Sequence, residues 1–600
     1  MTQEINMRAH RRISRWLPVI GLVLATLAAP APAGREPYVA SQTAVQLDPQ
    51  IDWSRTQLIV VQDGNRYKTL ESFARESLLA MSGREHLSGL SPLASLFEWL
   101  FNRAAYDDTP VVRIKDKGLR VHFSAHMTEE KRWRIVNQGY MTPRELVDPV
   151  VQQRMRELEP RNVMVTAMRR VRHAESVARF LDQMLRIVPD PDPSGTALWH
   201  TPGELRANLP DELLQHVGVT HEAILQEVGG LVPGISPDQA VSIILPWSLL
   251  RASWLRGDAA GVQTALDRLS QTLPTMAAAG VYPKESQRAA EARYYRMGKL
   301  TWGWGIYFLG ALVSVWALVT RWRTSWRIAL ILLAAAMGVH AYGIGLRWYI
   351  LGRIPVANMF EAVISSAWMG IAVALLFELY YRPRVLLLAA HLTGFLALVL
   401  GGYVIPGSGT LTSIMGILDD TMLRIHTVLI IASYALIFVA AVIAAVYLLG
   451  YYLRPSPRRS TQGAAALAGG TSAPELLFER PIRSGGAPGD ESRSENLPAW
   501  LDHFDWSHLI ILNLVFVMLF VGIILGAVWA DYSWGRPWGW DPKEVFAMNT
   551  WIIYAILIHV RFIVKAKGVW TAWLSLAGCL MMAFNWCFVN FYIVGLHSYA

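Results

Sequence analysis

Residues 425–453 read IHTVLIIASYALIFVAAVIAAVYLLGYYL, a run without a single acidic or basic (Asp, Glu, Lys or Arg) side chain. A helix needs about 20 apolar residues to cross the hydrocarbon of a bilayer, so this run predicts a membrane-spanning helix. Further apolar runs follow the same pattern at residues 302–320, 328–346, 360–380, 385–403, 507–529, 546–564 and 570–594. The sequence therefore predicts an all-α polytopic membrane protein, with eight transmembrane helices in a membrane domain at residues 299–600.

The composition agrees with this fold class. Hydrophobic residues make up 53% of the chain and charged residues 17%, and the formal net charge is +9. Basic residues of membrane proteins collect in cytoplasmic loops, so the excess indicates topology and argues against nucleic-acid binding. The two cysteines, Cys579 and Cys587, share the last apolar run and form neither a CxxC redox pair nor a metal-binding motif.

Residues 1–36 have the pattern of an export signal. Several arginines precede an apolar run, which is followed by alternating Ala and Pro. The segment is interpreted as a signal peptide or as a retained signal anchor, and both readings place the residues that follow outside the cytoplasm.

Residues 37–298 carry most of the charge and lack a run long enough to span a membrane. The stretch LIVVQDGNRYKTLESFARESLLAM (58–81) predicts a short strand, a Gly-Asn turn and a helix. Apolar residues at steps of three and four in VMVTAMRRVRHAESVARFLDQMLRIV (163–188) predict an amphipathic helix. We therefore expect a mostly helical extracytoplasmic domain. Its scattered histidines form no catalytic constellation.

The orientation of the spans follows from two signals that agree. When the first span starts outside, as the export signal requires, four basic segments fall on the cytoplasmic side: 321–327, 380–384, 453–460 and 561–568. The Gly, Ser and Pro-rich stretch 455–500 becomes a cytoplasmic linker. The loops 347–358, 404–424 and 530–545 and the C-terminus fall outside.

The outer loop 530–545 contains the stretch WGRPWGWDPKE (534–544). Tryptophan is common at membrane interfaces, and an aromatic belt is the plain interpretation. However, Trp534, Trp538 and Trp540 are separated by glycines, which let a backbone approach a bound object closely. Indole faces stack on planar rings, and nearby charges can meet carboxylates. The loop therefore suggests a porphyrin with its two propionates.

A porphyrin iron needs axial ligands, usually His or Met. His426 opens the fifth span and His597 closes the eighth, both at the outer ends, on either side of the tryptophan loop in sequence. We predict that they ligate one iron. His559 lies nearer the cytoplasmic side and could hold a second haem, with His391 or His340 as its partner. Each of these could instead be a packed polar residue.

The sequence WGRPWGWDPKEVFAMNTWIIYAILIHVR (534–561) resembles the WWD signature of haem-handling proteins. The arrangement is most similar to the CcsA (ResC) family of the system II pathway of cytochrome c biogenesis. PVANMFEAVISSAWM (355–369) resembles the family's Pro-x-x-Asn-x-x-Glu segment, and HTVLIIASYALIF and the terminal GLHSYA resemble its external haem-ligand segments. The resemblance covers about residues 300–600. The exported domain is a departure from a minimal member.

The resemblance implies a haem exporter and cytochrome c haem lyase (synthase) that works with a CcsB (ResB) partner in the bacterial inner membrane, in contact with lipid. Haem b would be both bound cofactor and substrate, joined outside the cytoplasm to the CxxCH cysteines of apocytochrome c. His426 and His597 would be the external axial ligands. Trp534, Trp538, Trp540 and Asp541 would form the haem-holding loop. His559 would ligate a transmembrane haem, whose other ligand comes from CcsB in the family.

Thioether formation depends on positioning, so no catalytic residue beyond these haem-positioning residues is predicted. Two alternatives stay open: a non-catalytic haem carrier or exporter like the related CcmC, and a transporter of another flat ligand. The exported domain is expected to bind either apocytochrome c or CcsB.

Overall fold

The computed structural model describes residues 40–158, 165–192, 195, 197–206, 232, 234–405, 409–412, 420–453, 499–564, 566–589 and 593. The chain forms two compact units, Met1–Ala292 and Arg293–Ala600. The predicted signal segment 1–36 lies outside the described residues, and so do residues 455–498 of the predicted linker. The predicted domain limits stay predictions.

The first unit is mostly helical, with two short antiparallel hairpins. β1 (Val60–Asp63) pairs with β2 (Arg66–Thr69), and β3 (Val112–Arg113) pairs with β4 (Tyr140–Met141). Its described α-helices are Gln42–Leu47, Leu70–Ser82, Pro92–Phe101, Lys117–Ser124, Glu129–Gln138, Pro143–Leu146, Pro149–Leu158, Val165–Met184, Pro202–Arg206, Pro237–Arg256, Ala259–Met276 and Glu285–Arg296, the last of which runs past Ala292.

The predicted strand, turn and helix near the start of this unit are confirmed, with one addition. Gly64, at φ +57°, makes the turn, and the chain returns as a second strand before the helix begins. The hydroxyl of Thr69 accepts a hydrogen bond from Ser72 N at 3.3 Å, which caps the helix Leu70–Ser82.

The predicted amphipathic helix is present as Val165–Met184. Its apolar face is buried at Met168, Val171, Val177 and Leu181, and it packs into the core of the first unit. The three- and four-residue spacing thus marked the buried face correctly.

The second unit contains eight helices that are long and apolar enough to cross a membrane. They are α1 (Trp304–Thr320), α2 (Arg323–Leu351), α3 (Met359–Tyr381), α4 (Val385–Val399), α5 (Thr421–Leu453), α6 (Ala499–Trp534), α7 (Pro542–Ile563) and α8 (Lys567–Ala583). A 3-10 segment, Gly298–Gly303, leads into α1, and π-helical turns extend α4 over Leu400–Val404 and α8 over Phe584–Val589. The predicted fold class is confirmed.

The eight helices differ in how much of their surface is covered. In the most apolar stretches of α4 and α5, 67% of the residues are buried, whereas in α7 the share is 17%. α4 and α5 therefore form the centre of the described bundle, and α7 lies at its edge with most of its surface facing outward.

Candidate functional site

The tryptophan loop joins α6 to α7 and is shaped by the cap of α7. Gly535, at φ +69°, turns the chain away from the end of α6. Asp541 is the N-cap of α7 and accepts a hydrogen bond from Lys543 N at 3.0 Å. Glu544 completes a capping box by accepting from Asp541 N at 3.2 Å, and it also accepts from Gly539 N at 2.9 Å. Asp541, which is 4% exposed, thus has a structural role in the loop.

The tryptophans of this loop form two edge-to-face pairs. Trp529 and Trp534 have ring centroids 5.2 Å apart, and Trp538 and Trp540 have centroids 6.2 Å apart. Trp540 is 73% exposed and adopts a left-handed backbone conformation, φ +55°, which costs a non-glycine residue roughly 1–2 kcal/mol. The fold thus holds a large indole surface outward at an energetic cost, as strained functional loops do.

His426 lies in the contact between α5 and α6, on a pair of glycines. Its Nδ1 donates a hydrogen bond to the carbonyl oxygen of Gly522 at 2.7 Å. A Cβ atom placed on Gly526 would lie 2.6 Å from Cε1 of the imidazole, so the ring occupies the space that Gly526 leaves. Metal-ligating histidines commonly donate their other ring N–H to a backbone carbonyl, which fixes the tautomer with its lone pair on Nε2. His426 is half-buried and has this arrangement.

The imidazole of His426 lies below the tryptophan loop. Gly526, which the ring contacts, precedes Trp534 by eight residues, a rise of about 12 Å along α6. Trp529, one turn above Gly526, is buried. The histidine and the exposed indole of Trp540 therefore lie near the same end of α6.

His597 lies outside the described residues, but the C-terminal extension of α8 lies against α5. Asn585 Nδ2 donates to the hydroxyl of Tyr434 at 2.9 Å, and Trp586 packs edge-on against the same tyrosine at 5.9 Å. Tyr434 follows His426 by two turns of α5. The segment that leads to His597 thus starts from a contact with the helix that carries His426.

His559 is an exposed residue of α7. Its Nδ1 donates to the carbonyl oxygen of Ala555 at 2.7 Å, which leaves the lone pair on Nε2. Ile556, Phe562 and Ile563 are 49%, 81% and 81% exposed, so His559 lies on an apolar, outward-facing surface. A charged or polar residue in such a position is costly and is a functional candidate by default.

His391 on α4 and His340 on α2, the two alternative partners of His559, are buried among helices α1–α4. His391, 0% exposed, is hydrogen-bonded through Nδ1 to Leu387 O at 2.7 Å and Ser314 Oγ at 3.1 Å. Any side chain at Gly310 would overlap its ring. His340, 3% exposed, contacts the hydroxyl of Tyr307 through Nδ1 at 3.2 Å. Neither ring reaches the surface on which His559 lies.

The structure also contains a buried ion network that the sequence analysis did not anticipate. Glu361 accepts hydrogen bonds from Arg347 at 2.7 Å and from Arg353 at 2.8 Å. Asn358 caps α3 by accepting from Glu361 N at 2.9 Å. The two polar residues of the Pro-x-x-Asn-x-x-Glu segment are therefore a helix cap and an ion-pair acceptor. Arg347 lies directly after the apolar run 328–346, and this charge beside an apolar run was the sequence feature that could have indicated a buried ion pair.

Comparison with known proteins places the membrane half in one family. Residues 343–597 match the family model described as cytochrome C assembly protein. The chain is 31% identical over 255 residues to the cytochrome c biogenesis protein CcsA of Prochlorococcus marinus (strain MIT 9312), covering 42% of this chain and 78% of that protein. It is 28% identical over 301 residues to the same-named protein of Parasynechococcus marenigrum (strain WH8102), covering 50% and 94%. A plant relative, CcsA of Atropa belladonna, is 30% identical over 257 residues, covering 42% and 79%.

Proposed function

The chain belongs to the CcsA family of cytochrome c biogenesis proteins, and from this premise we propose that it exports haem and attaches it covalently to apocytochrome c. The chain is a multi-pass membrane protein with eight apolar helices. We place it in the bacterial inner membrane, with its first unit, tryptophan loop and C-terminus outside the cytoplasm. A CcsB (ResB) protein is the proposed partner.

The arrangement of His426 is the observation that carries this proposal. The ring is held between α5 and α6 by Gly522 O and by the space at Gly526. Because the imidazole of His426 is already held in place, binding iron through Nε2 would cost little further side-chain conformational entropy. His597 is the proposed second axial ligand, on the chain that leaves α8 beside Tyr434. The indoles of Trp534, Trp538 and Trp540 would cover the macrocycle.

The chemistry proposed for the outer site is addition of a thiol to a vinyl group. At each of two positions the cysteine S–H bond and the vinyl π bond break, a C–S bond forms, and the proton ends on the neighbouring vinyl carbon. The step needs no oxidant or reductant once the cysteines are reduced. The protein supplies placement of the vinyls against the thiols of CxxCH, and such positioning accounts for a large part of the acceleration of two-reactant steps.

The histidine of CxxCH gives a route for product release. When it replaces one protein imidazole on the iron, the thiols become aligned with the vinyls and the grip of this chain on the haem weakens. The release step thus follows from the ligand exchange that starts the reaction.

His559 is the proposed ligand of a transmembrane haem on the path to the outer site. Its ring lies on the outward surface of α7, where a partner protein can supply the other ligand. The enclosure of His391 and His340 supports a ligand from the partner over one from this chain.

Co-expression with a CcsB partner and a CxxCH reporter tests the proposal. We expect the purified chain to show a bis-histidine haem spectrum and the reporter to carry covalent haem. The double variant His426→Ala with His597→Ala should lose covalent attachment and the haem of the outer site, while haem held by His559 and the partner is retained. His503→Ala, an exposed histidine at the start of α6, is the control and should retain both. Unchanged attachment in the double variant would refute the site, and haem binding without attachment would support the carrier alternative.

A further inference from the structure

The helix α7 has a buried stripe and an exposed stripe of side chains. The buried stripe consists of Thr550, Tyr554 and Leu557, which are fully buried, and Arg561, whose side chain is 16% exposed. The exposed stripe consists of Ile552, Ile556, His559 and Ile563. Both stripes advance in steps of four, three and four residues, and they are offset by two residues, which is about 200° around a helix. The contacts of the buried stripe therefore determine where His559 points.

Apolar packing alone gives α7 little preference for this rotation. The side chains of Ile556 and Ile563 are suited to the protein interior, and that of Leu557 is equally suited to lipid. In a bilayer the surroundings are as apolar as the interior of the protein, so no hydrophobic driving force separates the two stripes. Shape and polar contacts on the buried stripe must therefore fix the rotation of α7.

Tyr554 supplies a contact of shape in the middle of α7. A Cβ atom placed on Gly578 of α8 would lie 2.8 Å from Cε2 of the phenol ring, so the ring occupies the space that Gly578 leaves. The phenol hydroxyl is buried beside Ser575, which lies one turn earlier on α8. Nε2 of His508 on α6 lies 3.0 Å from Oγ of the same serine. The ring is thus enclosed against α8, and a rotation of α7 would have to expel it.

Arg561 supplies a polar contact at the end of α7. Its Nη1 donates to Oδ1 of Asp505 on α6 at 2.8 Å, and its Nη2 donates to Oδ2 at 2.5 Å. Such a two-pronged pair is strong and also fixes the direction of approach. Nη1 also lies 3.3 Å from Oγ1 of Thr571 on α8. The carboxylate is itself enclosed, because a Cβ atom on Gly568 would lie 3.2 Å from Oδ1 and 2.2 Å from the hydroxyl of Tyr447.

We propose that Asp505 and Arg561 are positioning residues for the transmembrane haem, because their ion pair fixes the rotation of α7 that directs His559 outward. This inference rests on the proposed role of His559 as a haem ligand and adds how that ligand is oriented. A guanidinium group without its carboxylate is costly inside a membrane domain, and a long arginine side chain then turns its charged end toward water. Loss of the Asp505 carboxylate would thus release the rotation of α7 and turn the imidazole away from the partner.

Haem binding by the complex with CcsB tests the proposal. The chain used is the double variant that lacks the two outer ligands, so that the haem at His559 is the one observed. Asp505→Ala should lower the affinity for haem b roughly tenfold, as loss of a residue that orients a metal ligand does, and should weaken the bis-histidine spectrum. The exchanged pair Asp505→Arg with Arg561→Asp should recover most of the affinity. Asp502→Ala, which removes an exposed acid one turn earlier on α6, is the matched control and should leave the spectrum unchanged.

A nitroxide label on His559→Cys reports the rotation of α7 without haem. The label is attached in a chain that also carries Cys579→Ser and Cys587→Ser, and its collision rate with oxygen in the bilayer is measured by electron paramagnetic resonance. We expect the rate to fall in Asp505→Ala and to recover in the exchanged pair, whereas a loss of stability alone would lower Tm and leave the rate unchanged. An unchanged rate in Asp505→Ala, or no recovery in the exchanged pair, would overturn the proposal. Haem binding that survives His559→Ala would instead contradict the proposed role of His559.

Discussion

The contact between α5 and α6 and the interior of α1–α4 both hold histidines within the membrane half, but they enclose them in different ways. His426 is half-buried on a glycine pair and donates to a carbonyl of the neighbouring helix. His340 and His391 are almost fully buried and hydrogen-bond to side chains inside their own group of helices. Nδ1 of both His426 and His391 hydrogen-bonds to a backbone carbonyl, so the accessibility of the ring is what separates the proposed iron ligand from the packed histidines.

The largest expected effect concerns the interior of α1–α4. Glu361→Gln removes the carboxylate shared by two guanidinium groups and leaves buried positive charge, which should lower the free energy of unfolding by about 3–5 kcal/mol. Glu378→Gln is the matched control, a buried acid of the same helix that accepts hydrogen bonds from Trp326 and Arg384 N. Its cost should be near 1 kcal/mol. Thermal melting in detergent measures both, and equal losses would contradict the importance of the ion network.

The second effect concerns the contact between α5 and α6. Gly526→Ala places a methyl group 2.6 Å from the imidazole of His426 and should cost about 1–3 kcal/mol through overpacking. It should also lower haem retention, since the ring must move. Gly338→Ala on α2 meets nothing within 4 Å and should stabilise the chain by about 0.5–1 kcal/mol. Melting curves and haem absorbance separate the two variants, and shifts of the same sign would argue against the proposed close packing.

The third effect concerns the loop above this contact. Asp541→Ala removes the N-cap of α7 and should cost about 1 kcal/mol. Asp541→Asn keeps a capping oxygen and should cost only a few tenths of a kcal/mol. If Asp541→Asn retains haem and Asp541→Ala loses it, in parallel with their stabilities, Asp541 acts by shaping the loop. Loss of haem in both variants would instead indicate a requirement for the negative charge.

The smallest expected effect on stability is at the exposed face of α7. His559→Ala should change the free energy of unfolding by less than about 0.5 kcal/mol, because the side chain is exposed and its hydrogen bond is local. The same variant should lose haem in the complex with CcsB. A large drop in Tm would show that His559 is a packing residue like His391 and not an accessible ligand like His426.

Much of the architecture was predictable because it depends on local properties of the sequence. The length and hydropathy of each apolar run indicated all eight spans. The Gly64 turn and the spacing of Met168, Val171 and Val177 likewise indicated a turn after the first strand and a buried helix face, although the second strand of the hairpin was not predicted. These signals need no knowledge of neighbouring helices.

The enclosure of individual side chains was not predictable from the sequence, because it depends on tertiary partners. In a membrane helix, the lipid-facing and protein-facing sides are both apolar, so periodicity does not separate them. The burial of His391 depends on the space left by Gly310 of another helix. The role of Asp541 as a cap was readable in principle from Asp541 and Glu544, whose spacing is that of a capping box.

The path of α7 has a mechanical consequence. The helix begins at the cap that shapes the tryptophan loop and carries His559 eighteen residues after Asp541, a distance of about 27 Å, nearly the thickness of the hydrocarbon layer. Because α7 is weakly covered by its neighbours, few contacts within the described chain oppose a change in its tilt. A tilt of about 5° over this length moves one end by about 2 Å relative to the other. A displacement at the Asp541 end of α7 would therefore also move the His559 end.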